Sequence, residues 1–406
     1  MGGKVVIVQI RLRLFSKSDK VGVNVKVLIA MDSFKGSLSS VESSKAIAMG
    51  IKEVYPHADI EVLPLADGGE GTVESLVTAT GGTLVTVPVT GPLQQKVDAT
   101  YGVLGNQQTA VIEIAAACGL PLVSDEQRNP MFTTTYGVGE LIIDALEKGC
   151  QDFVIGLGGS STNDGGVGML QALGFRFLDS ENKEVGLGGQ TLNDIYRIDD
   201  EGIHPSIKKA AFKVACDVTN PLFGAKGAAH IFGPQKGATP EIVAELDRGL
   251  RNLADVMAKD LKVDICLVEG AGAAGGLGAA FLGFLQADLN SGIDLILESI
   301  GMPEKIQAAD IVLTGEGKLD AQTSMGKTAL GVAQLAKSFG VPVIALAGSV
   351  TEEAGDLNDR GITSYFSILT KPMSLAEAIN PEAASMNLQV TTAQLFRLIK
   401  EMKKAG

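Results

Sequence analysis

The chain reads as an α/β protein of two domains, one of them discontinuous in sequence. Three observations predict this. Glycine-rich, acid-bearing turns follow apolar runs at residues 63–72, 153–166 and 311–320, and strand, flexible turn and carboxylate in that order mark the carboxyl ends of parallel α/β strands. Alternating strand and helix patterns occupy both ends of the chain, whereas residues 83–114 alternate polar with apolar, as antiparallel strands do. At 406 residues the chain also exceeds what one hydrophobic core usually holds.

Taken in order, residues 25–30 form a short apolar strand whose turn carries Asp32, Ser33 and Lys35. Ser39 and Glu42 have capping-box spacing ahead of Val41, Ile47, Ala48, Ile51 and Val54, one face of a helix that stops at Pro56. A second strand at 60–65 and a helix at 72–79 follow, with Gly81-Gly82 as the stop. Residues 83–114, with turns at Gly91-Pro92 and Gly105-Asn106, begin a different module. A helix at 138–146 closed by Gly149 feeds the buried strand 153–157. A strand at 212–217 ends in Asp217, with Asn220 close behind. Thr239-Pro240 caps a long amphipathic helix carrying Val243, Leu246, Leu250, Leu253 and Met257. Strand and helix patterns return near Asp294, with strands at 311–314 and 341–347 and a helix at 327–339 between them. The expected division is an extension over 1–24, one domain from 25–82 and 294–406, and an inserted mixed α/β domain over 83–293.

Composition narrows the function. Fifty glycines without a collagen period are turns rather than low complexity. A net charge of −13 argues against a nucleic-acid surface. With only three histidines, widely spaced, a Ser-His-Asp or His-ligated metal mechanism is not expected. The four cysteines lie far apart with no Cys-x-x-Cys pair, which fits reduced thiols in a cytoplasmic protein. Residues 270–287 are uncharged, but their glycines and Gln286 suit a packed internal helix better than a bilayer span, and the first 25 residues lack the pattern of a signal peptide.

Chemistry therefore falls to acids, lysines, hydroxyls and backbone. Gly270-Ala-Gly272-Ala-Ala-Gly275 matches a dinucleotide fingerprint, yet Asp288 lies in a loop-like stretch instead of ending a second strand, so helix packing is the preferred reading. Gly326-Lys327-Thr328 lacks the upstream glycine of a P-loop but suits an anion at a helix start. Phosphoryl transfer needs a divalent cation on oxygen ligands, cations on the phosphate, and a carboxylate to accept the hydroxyl proton. Asp32, Asp67, Glu70, Asp164, Asp217, Glu316 and Asp320 offer the carboxylates, and Lys35, Lys236, Lys318 and Lys327 the cations. Taken singly, each acid is as well explained as a turn residue bonding its own backbone, and each lysine as a solvated side chain. Their recurrence at several strand ends makes the joint case.

Seven segments in order resemble the bacterial type I glycerate kinase family: Asp32-Ser-Phe-Lys-Gly-Ser-Leu38, Ala66-Asp-Gly-Gly-Glu-Gly-Thr72, Gly158-Gly-Ser-Ser-Thr-Asn-Asp-Gly-Gly166, Ala215-Cys-Asp-Val-Thr-Asn-Pro-Leu222, Phe232-Gly-Pro-Gln-Lys-Gly-Ala238, Gly270-Ala-Gly-Ala-Ala-Gly-Gly276 and Thr314-Gly-Glu-Gly-Lys-Leu-Asp320. The resemblance runs from about Val25 onward and implies a discontinuous Rossmann-like domain, an inserted α/β domain and a substrate cleft between them. It implies ATP- and Mg²⁺-dependent phosphorylation of D-glycerate, giving 2-phosphoglycerate. On this reading Asp164, Asp217 and Lys35 are catalytic. Asp32, Ser33, Asp67, Gly68, Glu70, Asn220 and Lys236 bind substrate. Gly158, Gly159, Ser160, Ser161, Asn163, Glu316, Lys318 and Lys327 bind nucleotide, and Asp164, Asp217 and Asp320 hold metal. The expected partner is a small molecule, with no nucleic acid or membrane, for a monomer or homodimer. The rivals are a glycerate 3-kinase or kinase of another hydroxy or sugar acid, an NAD-dependent hydroxy-acid dehydrogenase, and a non-catalytic ligand sensor.

Overall fold

The computed structural model describes residues 25–65, 71–320 and 328–405. Its strands are β1 (Lys26–Met31), β2 (Asp59–Val62), β3 (Thr83–Thr90), β4 (Lys96–Val103), β5 (Thr109–Glu113), β6 (Asp152–Gly156), β7 (Arg176–Leu178), β8 (Arg197–Asp199), β9 (Ala211–Ala215), β10 (Asp288–Asn290), β11 (Ile311–Leu319), β12 (Val343–Val350) and β13 (Ser364–Ser367). The chain divides into two compact units, one from residues 1–67 and 297–406 and the other from residues 68–296.

The first unit is built on a fully parallel sheet in the order β13-β12-β11-β1-β2. Five of the six β1 residues are buried, the continuous apolar character of a strand covered on both faces. The helix Ser40–Val54 starts as its sequence predicts: Ser39 Oγ accepts from Glu42 N at 3.2 Å and Glu42 Oε2 accepts from Ser39 N at 2.9 Å. The long helix Pro381–Ala405 lies across it so closely that a Cβ on Gly50 would fall 2.4 Å from Gln389 O. Tyr55 and Phe396 close that contact edge to face, their centroids 6.1 Å apart. Strand order reverses between β1 and β11: the chain leaves β1 toward β2 on one side and leaves β11 toward β12 on the other. Such a switch point opens a crevice at the carboxyl ends of the two central strands.

The second unit carries a six-stranded sheet in the order β10-β9-β6-β5-β4-β3 and a small β7-β8 ribbon. β3, β4 and β5 pair antiparallel, and β5, β6, β9 and β10 run parallel. Phe153 and Phe212 stack across β6 and β9 at 4.9 Å. The helix Pro240–Asp260 buries Val243, Leu246, Leu250, Leu253 and Met257 and is capped by Thr239. The observed division falls at residues 67/68 and 296/297 instead of at 82 and 293. Helix Thr72–Thr80 belongs to the second unit because it packs on β4, where a Cβ on Gly102 would meet Val77 Cγ2 at 2.5 Å. Its start is capped by the β5 carboxylate of Glu113, which accepts from Val73 N at 2.9 Å.

Candidate active site

In the second unit, register aligns four strand ends in a row: Glu113, Gly156, Ala215 and Asn290. The turn after β6 therefore lies beside the turn after β9, and these carry one candidate acid each, Asp164 and Asp217. Gly158 and Gly159 are exposed, whereas residues 160–166 are all buried.

That burial has an identifiable origin. Leu120 N donates to Gly159 O at 2.9 Å, Ser161 N and Oγ both donate to Cys118 O at 2.8 and 2.9 Å, and Thr133 Oγ1 donates to Ser161 O at 2.9 Å. From the other side the glycine-rich segment 270–276 presses in. A Cβ on Gly275 would sit 2.0 Å from Thr162 O and one on Gly276 2.7 Å from Gly165 Cα, while Gly165 N donates to Gly275 O at 3.1 Å. Gly275 and Gly276 have φ of +73° and +98°, so the segment that matches a dinucleotide fingerprint is instead a backbone-to-backbone contact.

Several expected ligand residues are consequently interior groups. Asp164 is fully buried; its carboxylate accepts from Thr135 N (2.8 Å), Thr135 Oγ1 (2.9 Å), Gly166 N (3.1 Å) and Gly168 N (3.3 Å). Burial pushes its pKa up, opposed by the donors from Thr135, Gly166 and Gly168. A carboxylate so enclosed shapes the turn. Lys236, expected on the substrate, is likewise buried, with Nζ 2.9 Å from Ser160 Oγ and 2.6 Å from Thr162 O. Burial depresses its pKa to about 8. Ser160, Ser161 and Asn163 are also buried; the hydroxyls of Ser160 and Ser161 bond Lys236 Nζ and Cys118 O, whereas neither amide atom of Asn163 has a hydrogen-bond partner among the described residues.

Asp217 differs. It is exposed two residues beyond β9, and one carboxylate oxygen is fixed by Gly292 N at 3.0 Å. Nearby Asn220 ties its own loop, its Nδ2 donating to Lys226 O at 2.8 Å and its carbonyl accepting from Gly272 N at 2.9 Å.

The switch point of the first unit gathers a second set. Asp32 follows β1, with its backbone N donating to Gly315 O at 2.9 Å and its carboxylate accepting from Ser33 N at 2.6 Å and Thr328 Oγ1 at 2.8 Å. Lys35 is exposed, and the turn after Gly315 passes close to it: a Cβ on Gly317 would lie 3.6 Å from Lys35 N. Glu316 is half-buried there, and Lys318 pairs with Asp320 at 3.0 Å. Asp67, Gly68, Glu70 and Lys327 lie outside the described residues. Among the described residues no group of three or more His, Cys, Asp or Glu is arranged to hold a metal ion, and no helix is long and apolar enough to cross a membrane.

Two contributors, Thr135 and Glu113, escaped sequence reasoning, and Thr328 was expected only at an anion-binding helix start. Thr328 holds Asp32, Thr135 holds Asp164, and Glu113 caps a helix. Glu113 ends a strand in an acid just as Asp217 follows one, a signal that was present; the run Thr133-Thr134-Thr135 signals buried hydroxyls only once its neighbours are known.

Two α/β units with glycine-rich turns and acids at their strand ends have the build of an α/β enzyme. Residues 27–400 match the model of the glycerate kinase family, and the chain belongs to that family and is a kinase. It is 50% identical over 379 residues to glycerate kinase of Bacillus subtilis (strain 168), covering 93% of this chain and 99% of that protein. It is 48% identical over 374 residues to glycerate 2-kinase of Escherichia coli (strain K12), covering 91% of this chain and 98% of that one. A crystal structure assigned as glycerate kinase 2 of Salmonella typhimurium LT2 superposes with a TM-score of 0.87 at 44% identity, covering 94% of this chain and all of that one.

Proposed function

We propose that the enzyme transfers the γ-phosphoryl group of ATP to the 2-hydroxyl of D-glycerate, giving 2-phosphoglycerate and ADP. The observation that carries this reading is the pairing of Gly156 with Ala215, which sets the exposed Gly158-Gly159 turn beside the exposed Asp217. Phosphoryl transfer asks for backbone donors toward phosphate and a fixed carboxylate near the reacting oxygens, and little covalent chemistry from the protein. Likeness to a protein named glycerate 2-kinase supports the choice of hydroxyl.

Mg²⁺ bound to ATP would neutralise charge developing on the phosphate oxygens. The donor set suits it: such an ion keeps several waters and takes one or two carboxylates plus phosphate oxygens, so no three-ligand cluster is required. Asp217 is the carboxylate we assign to that role, because Gly292 N holds one oxygen in place while the residue remains exposed. Lys35 and Lys318, exposed around the switch point of the first unit, are the positive charges which that crevice offers to an anionic group. Asp320, already paired with Lys318, orients that lysine. The four cysteines are free thiols, in keeping with a cytoplasmic enzyme.

Consumption of ATP with D-glycerate, without any absorbance change on adding a nicotinamide cofactor, is the expected result. Glycerate binding without ADP formation would sink the reading.

A further inference from the structure

Among the described residues Lys236 is the one lysine or arginine in the buried set, and the chemistry above gives it no task. Burying an ammonium costs stability unless hydrogen bonds and charge compensate. Here the ammonium binds residues one and three positions beyond Gly159: Ser160 through its hydroxyl at 2.9 Å and Thr162 through its carbonyl at 2.6 Å. Between them Ser161 points the opposite way and grips Cys118 O with both its N–H and its hydroxyl. The segment is clamped from two sides by partners far away in sequence. Gly158 and Gly159, the exposed residues immediately before it, have no side chains with which to fix their own conformation, so their N–H directions follow from the clamp. Asp164 and Cys118 are the titratable groups facing the ammonium, and neither contacts solvent.

We infer that Lys236 is a positioning residue for the nucleotide: acting through Ser160 and Thr162, it fixes the Gly158-Gly159 turn in the conformation that receives the phosphates of ATP. This rests on the proposed reading of that turn as the phosphate site. Lys236 itself touches neither substrate. Its influence falls on nucleotide affinity and leaves glycerate affinity alone.

The experiment compares full-length wild type with Lys236→Met, which removes the donors at similar volume, and Lys236→Gln, which keeps an N–H donor without the charge. Melting temperature, kcat and both KM values are measured. Wild-type turnover of ATP with D-glycerate tests the functional reading, and its absence overturns that reading and this inference together. Given turnover, Lys236→Met is expected to raise KM for MgATP by about tenfold or more while KM for D-glycerate stays within about twofold, with Lys236→Gln between it and wild type. A folded Lys236→Met enzyme with unchanged KM for MgATP, or with both KM values raised equally, overturns the inference while leaving the function standing. Should neither variant fold, Ser160→Ala removes one of the two contacts with a small change in volume. A rise of about threefold in KM for MgATP alone then supports the inference, and no rise overturns it.

Discussion

Thr328 donates its hydroxyl to the buried carboxylate of Asp32 at 2.8 Å, joining residues 296 positions apart. The bond ties the start of the helix Thr328–Ser338 to the turn after β1, at the point where strand order reverses. It accounts for an acid only 6% exposed at that turn: its carboxylate accepts from both Ser33 N and Thr328 Oγ1.

Hydrogen bonds to a charged acceptor contribute about 1.5–3 kcal/mol. Thr328→Ala is therefore expected to lower the unfolding free energy by about 2 kcal/mol, and Thr328→Ser to recover most of it. Urea denaturation followed by circular dichroism measures both, and equal stability of Thr328→Ala and wild type would remove Thr328 from this role.

Asp164 and Asp217 carry the same chemical group in opposite environments, so their asparagine variants should separate. Asp217→Asn is expected to melt within about 2 °C of wild type yet lose about 100-fold or more in kcat. Asp164→Asn disturbs five donors to a buried carboxylate and is expected to lose about 3 kcal/mol of stability. Melting curves and steady-state kinetics on the same preparations decide the point, and the reverse pattern would exchange the two assignments.

Close approach of the two glycine-rich segments predicts another contrast. Gly275→Ala adds a Cβ 2.0 Å from Thr162 O at φ +73° and is expected to cost about 3–5 kcal/mol, from strain and overpacking together. Gly36 has φ +76°, and a methyl group added to its Cα would meet nothing within 4 Å, so Gly36→Ala should cost only about 1–2 kcal/mol. Thermal melts of the two variants provide the comparison.

The pH dependence of stability follows from Lys236. Its pKa is about 8 in the fold against an ordinary 10.5, so between those values the unfolded chain binds a proton that the folded chain does not. Stability contributed by this residue therefore rises with pH, by up to about 1.4 kcal/mol per unit. Cys118, pushed up by burial from 9.0 to about 12, acts in the opposite direction above pH 9, which confines the clean window to about pH 8–9. Relative to Lys236→Met, wild type should gain about 1 kcal/mol across that window in urea titrations.

Much of this architecture is legible in the sequence because it depends on local patterns. The Ser39–Glu42 capping box, the Thr239-Pro240 helix start and the apolar strand before Gly158 each rest on neighbouring residues, and each appears where its pattern puts it. The site is less legible. Asp164 and Asp217 both follow glycine-flanked or apolar strands, and only the arrival of Thr135 and of the 270–276 segment, from distant parts of the chain, buries one and leaves the other exposed. Lys236 follows the same rule: nothing adjacent to it in sequence reveals that its ammonium lies beneath Ser160. Side-chain type marks where chemistry is possible, and tertiary burial decides which group faces the substrate.

The most direct test of the central claim is the phosphorus NMR spectrum of the product formed from D-glycerate and ATP. The account predicts a phosphate resonance split into a doublet by one adjacent C–H, the signature of 2-phosphoglycerate, accompanied by stoichiometric ADP. A triplet from coupling to a CH₂ group, the signature of 3-phosphoglycerate, would contradict it.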